Sequence, residues 1–372
     1  MIIFLSNFVS PHTIPLCEQL YRQLKEEFVF IETKPMTGER QSLGYSSLQS
    51  KPFVVSYECF SKNDVKYQEV IDSADVVLAS FGSIDTTLLN ERILNNKLTF
   101  LMSERLFKKG VFKILDPKFW KTLLFIKKVR NKDFHLLCMG AYVSKDFGLC
   151  GFPKAKMWKF GYITNEPVSN TTQERDSRVP NILWVGRMIW WKKPFIILEV
   201  AEILKKKGIA FHLDVVGGGK LSTKFESALQ KNSAKELITY HGLKKGAEVQ
   251  NMMHNSDILL CTSNRLEGWG AVINEGMYNK CIVIANRSMG AAPYLIEDGK
   301  TGYLYNGNAK VLADTIERAI SNLDNGNIGE NAYHYIKSNW SPEIASNKFL
   351  QLVDGINGLN QTVQEEGICS KA

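Results

Sequence analysis

Fixed charges recur at loop positions in the second half of this 372-residue chain. Arg187 follows Gly186, and Lys192 comes five residues later, between an apolar run and a helical stretch. A forked guanidinium and a point-charge ammonium in one loop suit a diphosphate. Downstream stands Glu267-Gly268-Trp269-Gly270, just after Ser263, with Glu275 following after seven intervening residues. The glycines predict backbone amides gathered at a helix start near residue 270, where an anion is stabilised. Glu275 then lies about one and a half turns into that helix. There it can accept hydrogen bonds from a vicinal diol such as a ribose, and Glu267 can do the same for a sugar. The plainer alternatives are a solvated basic loop, an acid complementing a helix dipole and an exposed glutamate.

Two further loops belong to the same half. Gly217, Gly218 and Gly219 close an apolar run and permit close approach of a ligand. They match neither the Gly-x-Gly-x-x-Gly fingerprint nor a P-loop. Residues 288–302 hold Gly290 before Pro293, which fits the first position of a helix. In the first half, Glu104 follows a strand at 98–103 and His12 follows the first strand, while His135 sits inside an apolar strand and reads as core.

The stretch 105–132 is different in kind. It holds ten Lys/Arg and one acid, Asp116, interleaved with Phe107, Phe112, Phe119, Trp120 and Phe125. That pattern predicts an interfacial amphipathic helix. A nucleic-acid face or a merely solvated helix are the alternatives, and no recognised nucleic-acid module accompanies the charge.

These residues need elements to position them. Strands are expected at 2–6, 28–33, 53–58, 75–80, 98–103 and 134–140, then at 181–186, 211–217, 238–242, 257–263, 281–286 and 302–306. Many are apolar at nearly every position, as in a parallel sheet buried on both faces. Helical spacing fills the gaps, and residues 165–180, rich in Asn, Thr, Ser and Pro, read as a linker. Strand–helix alternation twice over predicts an α/β protein of two doubly wound, Rossmann-like domains. Ligands should then sit at the carboxyl ends of the strands, in a cleft that the two domains face. The expected division is 1–165, rejoined by a helix at 341–357, then 178–340, with 358–372 as a flexible tail.

Composition sets the outer bounds. A chain of 44% hydrophobic and 23% charged residues is an ordinary globular one, which excludes disorder and collagen-like repeats. Seven scattered cysteines without a Cys-x-x-Cys pair argue against structural zinc and a disulfide framework, and for a reducing compartment. No apolar run approaches the roughly 18 residues of a membrane span. The opening Met1-Ile2-Ile3-Phe4-Leu5-Ser6 reads as a strand, not a signal peptide. A net charge of +8 favours an anionic partner without choosing one.

Gly186-Arg187 with Lys192, the two glutamates around Glu267-Gly268-Trp269-Gly270, and the segment from Gly290 to Gly302 together resemble the donor-binding signature of glycosyltransferase family 4. The similarity is strong over about residues 180–306 and weak before them. It implies a GT-B fold and a retaining transferase that uses a nucleotide sugar, UDP- or GDP-linked, as co-substrate, with no cofactor. By the same resemblance Arg187 and Lys192 hold the donor diphosphate, Glu267 contacts the transferred sugar and Glu275 the ribose. Gly217 and Ser263 lie in the matching loops, and His241-Gly242-Leu243 stands where the base packs. The chain departs from the pattern in three places. One extra residue separates Ser263 from Glu267, Tyr294 stands where many members carry glutamate, and Glu104 where many carry a catalytic histidine. Glu104 and His12 are the candidates for touching the acceptor. No Asp-x-Asp and no His/Asp cluster is present, so a metal-independent reaction is expected. A saccharide acceptor on polyprenyl diphosphate, in capsule, O-antigen or exopolysaccharide synthesis, would account for 105–132 on the cytoplasmic face of the inner membrane. A GT-B nucleotide-sugar epimerase and an inactive nucleotide-binding scaffold at the membrane are the rival readings.

Overall fold

The computed structural model describes residues 1–38, 45–167, 179–323, 327–359 and 365–372. Most of the expected linker, residues 168–178, lies outside the described residues, as do 360–364 of the tail. The chain forms two compact units, Met1–Asn165 with Asn339–Ala372, and Glu166–Ser338.

The first unit is built on a seven-stranded parallel sheet: β1 (Ile2–Ser6), β2 (Phe28–Glu32), β3 (Val54–Val55), β4 (Val76–Ser80), β5 (Thr99–Ser103), β6 (Phe134–Met139) and β7 (Met157–Phe160). Its order is β3-β2-β1-β4-β5-β6-β7. Every residue of β1, β5 and β6 is buried, because helices cover both faces. Phe4 pairs with Phe30 on one side and Leu78 on the other.

The second unit repeats the plan with six parallel strands: β8 (Asn181–Val185), β9 (His212–Val216), β10 (Ile238–Tyr240), β11 (Ile258–Cys261), β12 (Ile282–Asn286) and β13 (Tyr303–Tyr305). Their order, β10-β9-β8-β11-β12-β13, again reverses beside the first strand. Helix Ile196–Lys206 places Ile197, Ala201 and Leu204 on one buried stripe, and helix Ala309–Ser321 does so with Leu312, Ile316 and Ala319. Both stripes enter one core with Trp184. In each unit the reversal puts a ligand crevice at the carboxyl ends, by β1 and β4 or by β8 and β11.

Three expectations fail. The strand expected at 53–58 stops at Val55, since Ser56 caps a helix, Tyr57–Lys62, by accepting from the Cys59 N–H at 3.4 Å. The single helix expected over 105–132 is broken. A 3-10 turn spans Gly110–Leu115, and the α-helix Pro117–Val129 starts only where Asp116 Oδ1 accepts from the Lys118 N–H at 2.9 Å. Its Phe119, Ile126 and Val129 are buried, so Phe119 belongs to the interior and not to an interfacial face. The tail is not frayed at its end. Ile368, Cys369 and Ser370 are buried, and the Cys369 N–H donates to the Lys159 carbonyl at 2.8 Å. An edge strand with open donors and acceptors, β7, supplies the reason.

Candidate active site

In the second unit the glycines force two loops together. Gly217 has φ of +146°, and a Cβ there would lie 1.8 Å from the Gly186 carbonyl oxygen. The Gly217 N–H donates to the Gly242 carbonyl at 2.8 Å, which adds the loop after β10. A Cβ on Gly218 would meet Leu243 Cβ at 3.3 Å. Gly186, Gly217, Gly242 and Leu243 are therefore brought together. His241 is not. As a neighbour in an extended strand end its ring points elsewhere, to within 2.6 Å of Asp214 Oδ1, where it lines a separate cavity of about 370 Å³ with Lys244, Glu248 and Asn251.

The Arg187–Lys193 loop is anchored from below. Trp184 Nε1 donates to Thr262 Oγ1 at 2.8 Å, and Thr262 Oγ1 donates to the Lys192 carbonyl at 2.6 Å. The Asn264 N–H donates to the Trp191 carbonyl at 2.8 Å. These bonds tie the loop after β8 to the loop after β11, next to buried Ser263. Arg187 is exposed, its guanidinium 5.7 Å from the Trp191 ring centroid.

Lys192 Nζ reaches Glu267 Oε2 at 2.5 Å, with 15% and 19% of the two side chains exposed. Glu275 lies on the short helix Val272–Tyr278. Burial pushes its carboxyl up to about 7, against the opposing pull of the Lys192 charge. One ammonium thus acts on both acids. Gly268, Trp269 and Gly270 are buried between them in sequence. Gly270 has φ of +101°, and a Cβ there would lie 2.5 Å from Met289 Cε. The Ala291 N–H donates to the Trp269 carbonyl at 3.1 Å, so the 288–302 segment packs on the same loop. Tyr294 belongs to it, its ring 6.3 Å from that of Trp269.

The first unit has its own concavity of about 710 Å³, at the carboxyl ends of β1, β4 and β5. His12 and Glu104 both line it, and Tyr162 joins them. The His12 and Tyr162 rings stack with centroids 5.1 Å apart, and Tyr162 Oη donates to Glu104 Oε1 at 3.1 Å. Lys108 pairs with Glu104 Oε2. Arg105 turns away to Asp146, at 3.4 Å. The loop carrying His12 is set by Glu32, fully buried at the end of β2, whose Oε1 accepts from the Val9 N–H at 2.8 Å. His135 is core, its Nδ1 accepting from Trp158 Nε1 at 3.1 Å. Glu32 was not singled out from sequence, although an acid ending an apolar strand is a signal for it. Tyr162 follows a strand, β7, that was not anticipated.

Known proteins resemble this chain. Residues 169–335 match the family model described as glycosyl transferases group 1. Trehalose synthase of Thermococcus litoralis is 28% identical over 267 residues, covering 64% of this chain and 61% of that protein. This chain thus spans less than two thirds of that relative's length. The poly(ribitol-phosphate) alpha-N-acetylglucosaminyltransferase of Staphylococcus aureus is 27% identical, over 45% of this chain and 34% of its own. The putative colanic acid biosynthesis glycosyltransferase WcaL of Escherichia coli is 27% identical over 38% of this chain and 36% of its own. Among solved structures, Anabaena HepE in complex with UDP superposes with a TM-score of 0.73 at 14% identity, covering 95% of this chain and 99% of HepE. The apo lipopolysaccharide outer core galactosyltransferase WaaB gives 0.70, at 14% identity over 96% and 99%. The structural likenesses establish the GT-B fold, and residues 169–335 are the part of the chain that matches the glycosyl transferases group 1 family model.

Proposed function

We propose that this chain is a family 4 enzyme that transfers a glycosyl group, with retention and without a metal, from a UDP- or GDP-sugar to a saccharide hydroxyl. The observation that carries the reading is the Lys192–Glu267 pair beside half-buried Glu275, inside the region matched by the family model. Arg187 and Lys192 neutralise the diphosphate as the C1–O bond to it breaks. Glu267 binds the sugar, and Glu275 the ribose diol. In the first unit Glu104, held by Tyr162 and Lys108, orients the acceptor hydroxyl. That oxygen forms the new bond to C1, and its proton passes to the departing phosphate oxygen. The solved complex of HepE with UDP-glucose supports a nucleotide-sugar donor.

The test is thermal unfolding of the full chain with a panel of UDP- and GDP-sugars in the presence of chelator. A ligand at one hundred times its Kd adds about 2.7 kcal/mol to the folded state. A raised Tm with sugars of one base is expected, followed by turnover with an acceptor. Sugar nucleotides that leave Tm unchanged, or that convert to an epimer without acceptor, would sink this reading.

The acceptor is lipid-linked in the same proposal, in polysaccharide synthesis as for WcaL. Phe112, Leu115, Trp120 and Leu124 are exposed, Leu115 by 80%. Lys121, Lys127 and Lys128 are exposed on the same 112–128 segment. Apolar side chains among lysines suit an anionic membrane surface. No helix among the described residues is long and apolar enough to cross a membrane. Anionic vesicles should sediment the protein and neutral ones should not. Changing the three lysines to Gln should remove about 1 kcal/mol each at low salt. Equal sedimentation of variant and wild type would leave the segment a solvated one.

A further inference from the structure

The cavity of the first unit has more cation than its own acids can match. Arg105, Lys108, Lys109, Lys113 and Lys118 line it, against Glu104 and Asp116. Three of the cations are committed: Lys108 to Glu104, Lys113 to Asp116 at 2.5 Å, and Arg105 to Asp146 outside the cavity lining. Asp116 is used twice over, since its other oxygen accepts from the Lys118 backbone N–H. Lys109 and Lys118, both exposed, make no ion pair among the described residues, although the Lys118 charge also acts on Asp116. A concavity with one sign of charge left over attracts an anion. A neutral saccharide brings only hydroxyls and leaves that field unanswered. A planar carboxylate is matched best by a guanidinium fork, and the one Arg here is occupied. Two ammonium point charges suit a tetrahedral dianion, which asks for charge without a planar fork.

We propose that Lys109 and Lys118 form an anion subsite that takes a phosphate group carried by the acceptor, in the cavity where His12, Glu104 and Tyr162 meet its sugar. This rests on the reading that the first unit binds the acceptor. It makes the acceptor a phosphorylated saccharide, and it separates the roles of two lysine sets: Lys109 and Lys118 inside the cavity, Lys121, Lys127 and Lys128 outside its lining.

The experiment is calorimetry of the full chain with inorganic pyrophosphate as probe, with UDP present at saturation to occupy the nucleotide site. Lys109→Gln/Lys118→Gln should weaken pyrophosphate binding about tenfold or more, the scale of a charge-assisted contact, and leave UDP affinity and Tm unchanged. Arg187→Ala should do the reverse, weakening UDP and leaving pyrophosphate binding to the apo protein's first unit intact. Vesicles containing phosphatidic acid form the second arm, because a bilayer headgroup offers the same chemistry. Loss of vesicle binding with pyrophosphate affinity unchanged would overturn the cavity subsite and make these lysines headgroup contacts. Equal pyrophosphate affinity in wild type and double variant would overturn it too. Should the wild type bind pyrophosphate through these lysines yet bind no UDP or GDP, the glycosyl-transfer reading would fail while the anion subsite stands.

Discussion

The two units share a strand order and a place for ligands, yet they furnish that place by opposite means. Around β8 and β11 the backbone does the shaping. Gly217 and Gly270 sit where a Cβ would strike Gly186 or Met289, and one half-buried ammonium, Lys192, acts on two acids. Around β1 and β4 side chains do it. Long lysines, a phenol and an imidazole surround about 710 Å³. Gly82, which follows β4, also has a positive φ of +84° but faces open space. A site formed by backbone constrains residue type tightly and reads out as a motif. A site formed by flexible side chains can change its occupant by substitution, and it leaves no fixed spacing to read.

The sharpest way to break this contrast is a matched pair of glycine substitutions. Gly217→Ala should cost about 4 kcal/mol or more, because positive φ and a backbone clash combine. Gly82→Ala should cost about 1–2 kcal/mol from left-handed φ alone. Denaturant unfolding reads both, and similar losses would dissolve the distinction.

Glu275→Gln tests the half-buried acid. Its folded pKa, about 7, lies above its ordinary 4.5, so the native state holds the proton in between. Wild-type stability from this group is therefore full below about 4.5 and falls as pH rises through 7. The variant should gain roughly 3 kcal/mol over wild type at pH 8, with no difference at pH 4. Nucleotide affinity should fall about tenfold, the cost of a lost charge-assisted hydrogen bond. A stability difference that does not change with pH would return Glu275 to solvent.

Arg187→Ala and Lys192→Ala should each lower turnover about a hundredfold, near 2.7 kcal/mol, with the wild type indifferent to chelator. Only Lys192→Ala should also lower Tm, since it leaves Glu267 unpaired while Arg187 is exposed. Activity abolished by EDTA would overturn the metal-free step. The smallest effect belongs to the first unit: Tyr162→Phe should slow transfer about fivefold through loss of one hydrogen bond, leaving donor hydrolysis untouched. A matching drop in hydrolysis would place Tyr162 in the donor chemistry.

What could be read in advance follows the same divide. The strands of the second unit lie within three residues of their expected ends, because each is apolar and ends at a glycine, asparagine or serine. Lys192, Glu267 and Glu275, which the fold brings near one another, could be picked out by their spacing. The Trp184–Thr262–Lys192 relay could not, since two hydrogen bonds between residues far apart in sequence leave no periodicity. In the first unit β7 escaped notice because Met157–Phe160 is four residues long and lies at the sheet edge. The basic stretch misled through its charge. The Asp116-Pro117 start, a legible helix signal, divides it and turns Phe119 inward.

Residues 367–372 have a consequence for how copies of this chain meet one another. β7 would otherwise offer a free row of backbone donors and acceptors, a template for pairing with another molecule. Lys159 N–H donates to the Ser370 carbonyl at 2.7 Å, Cys369 N–H to Lys159, and Ala372 N–H to the Met157 carbonyl at 3.2 Å. Trp158 and Lys371 bridge antiparallel in an otherwise parallel sheet, and the Lys371 ammonium lies 3.3 Å from the Trp158 ring centroid. The segment is a guard rail on an aggregation-prone margin. It places a charge where a second sheet would have to dock, so the rim of the first unit is covered by a stretch that contributes no residue to its cavity.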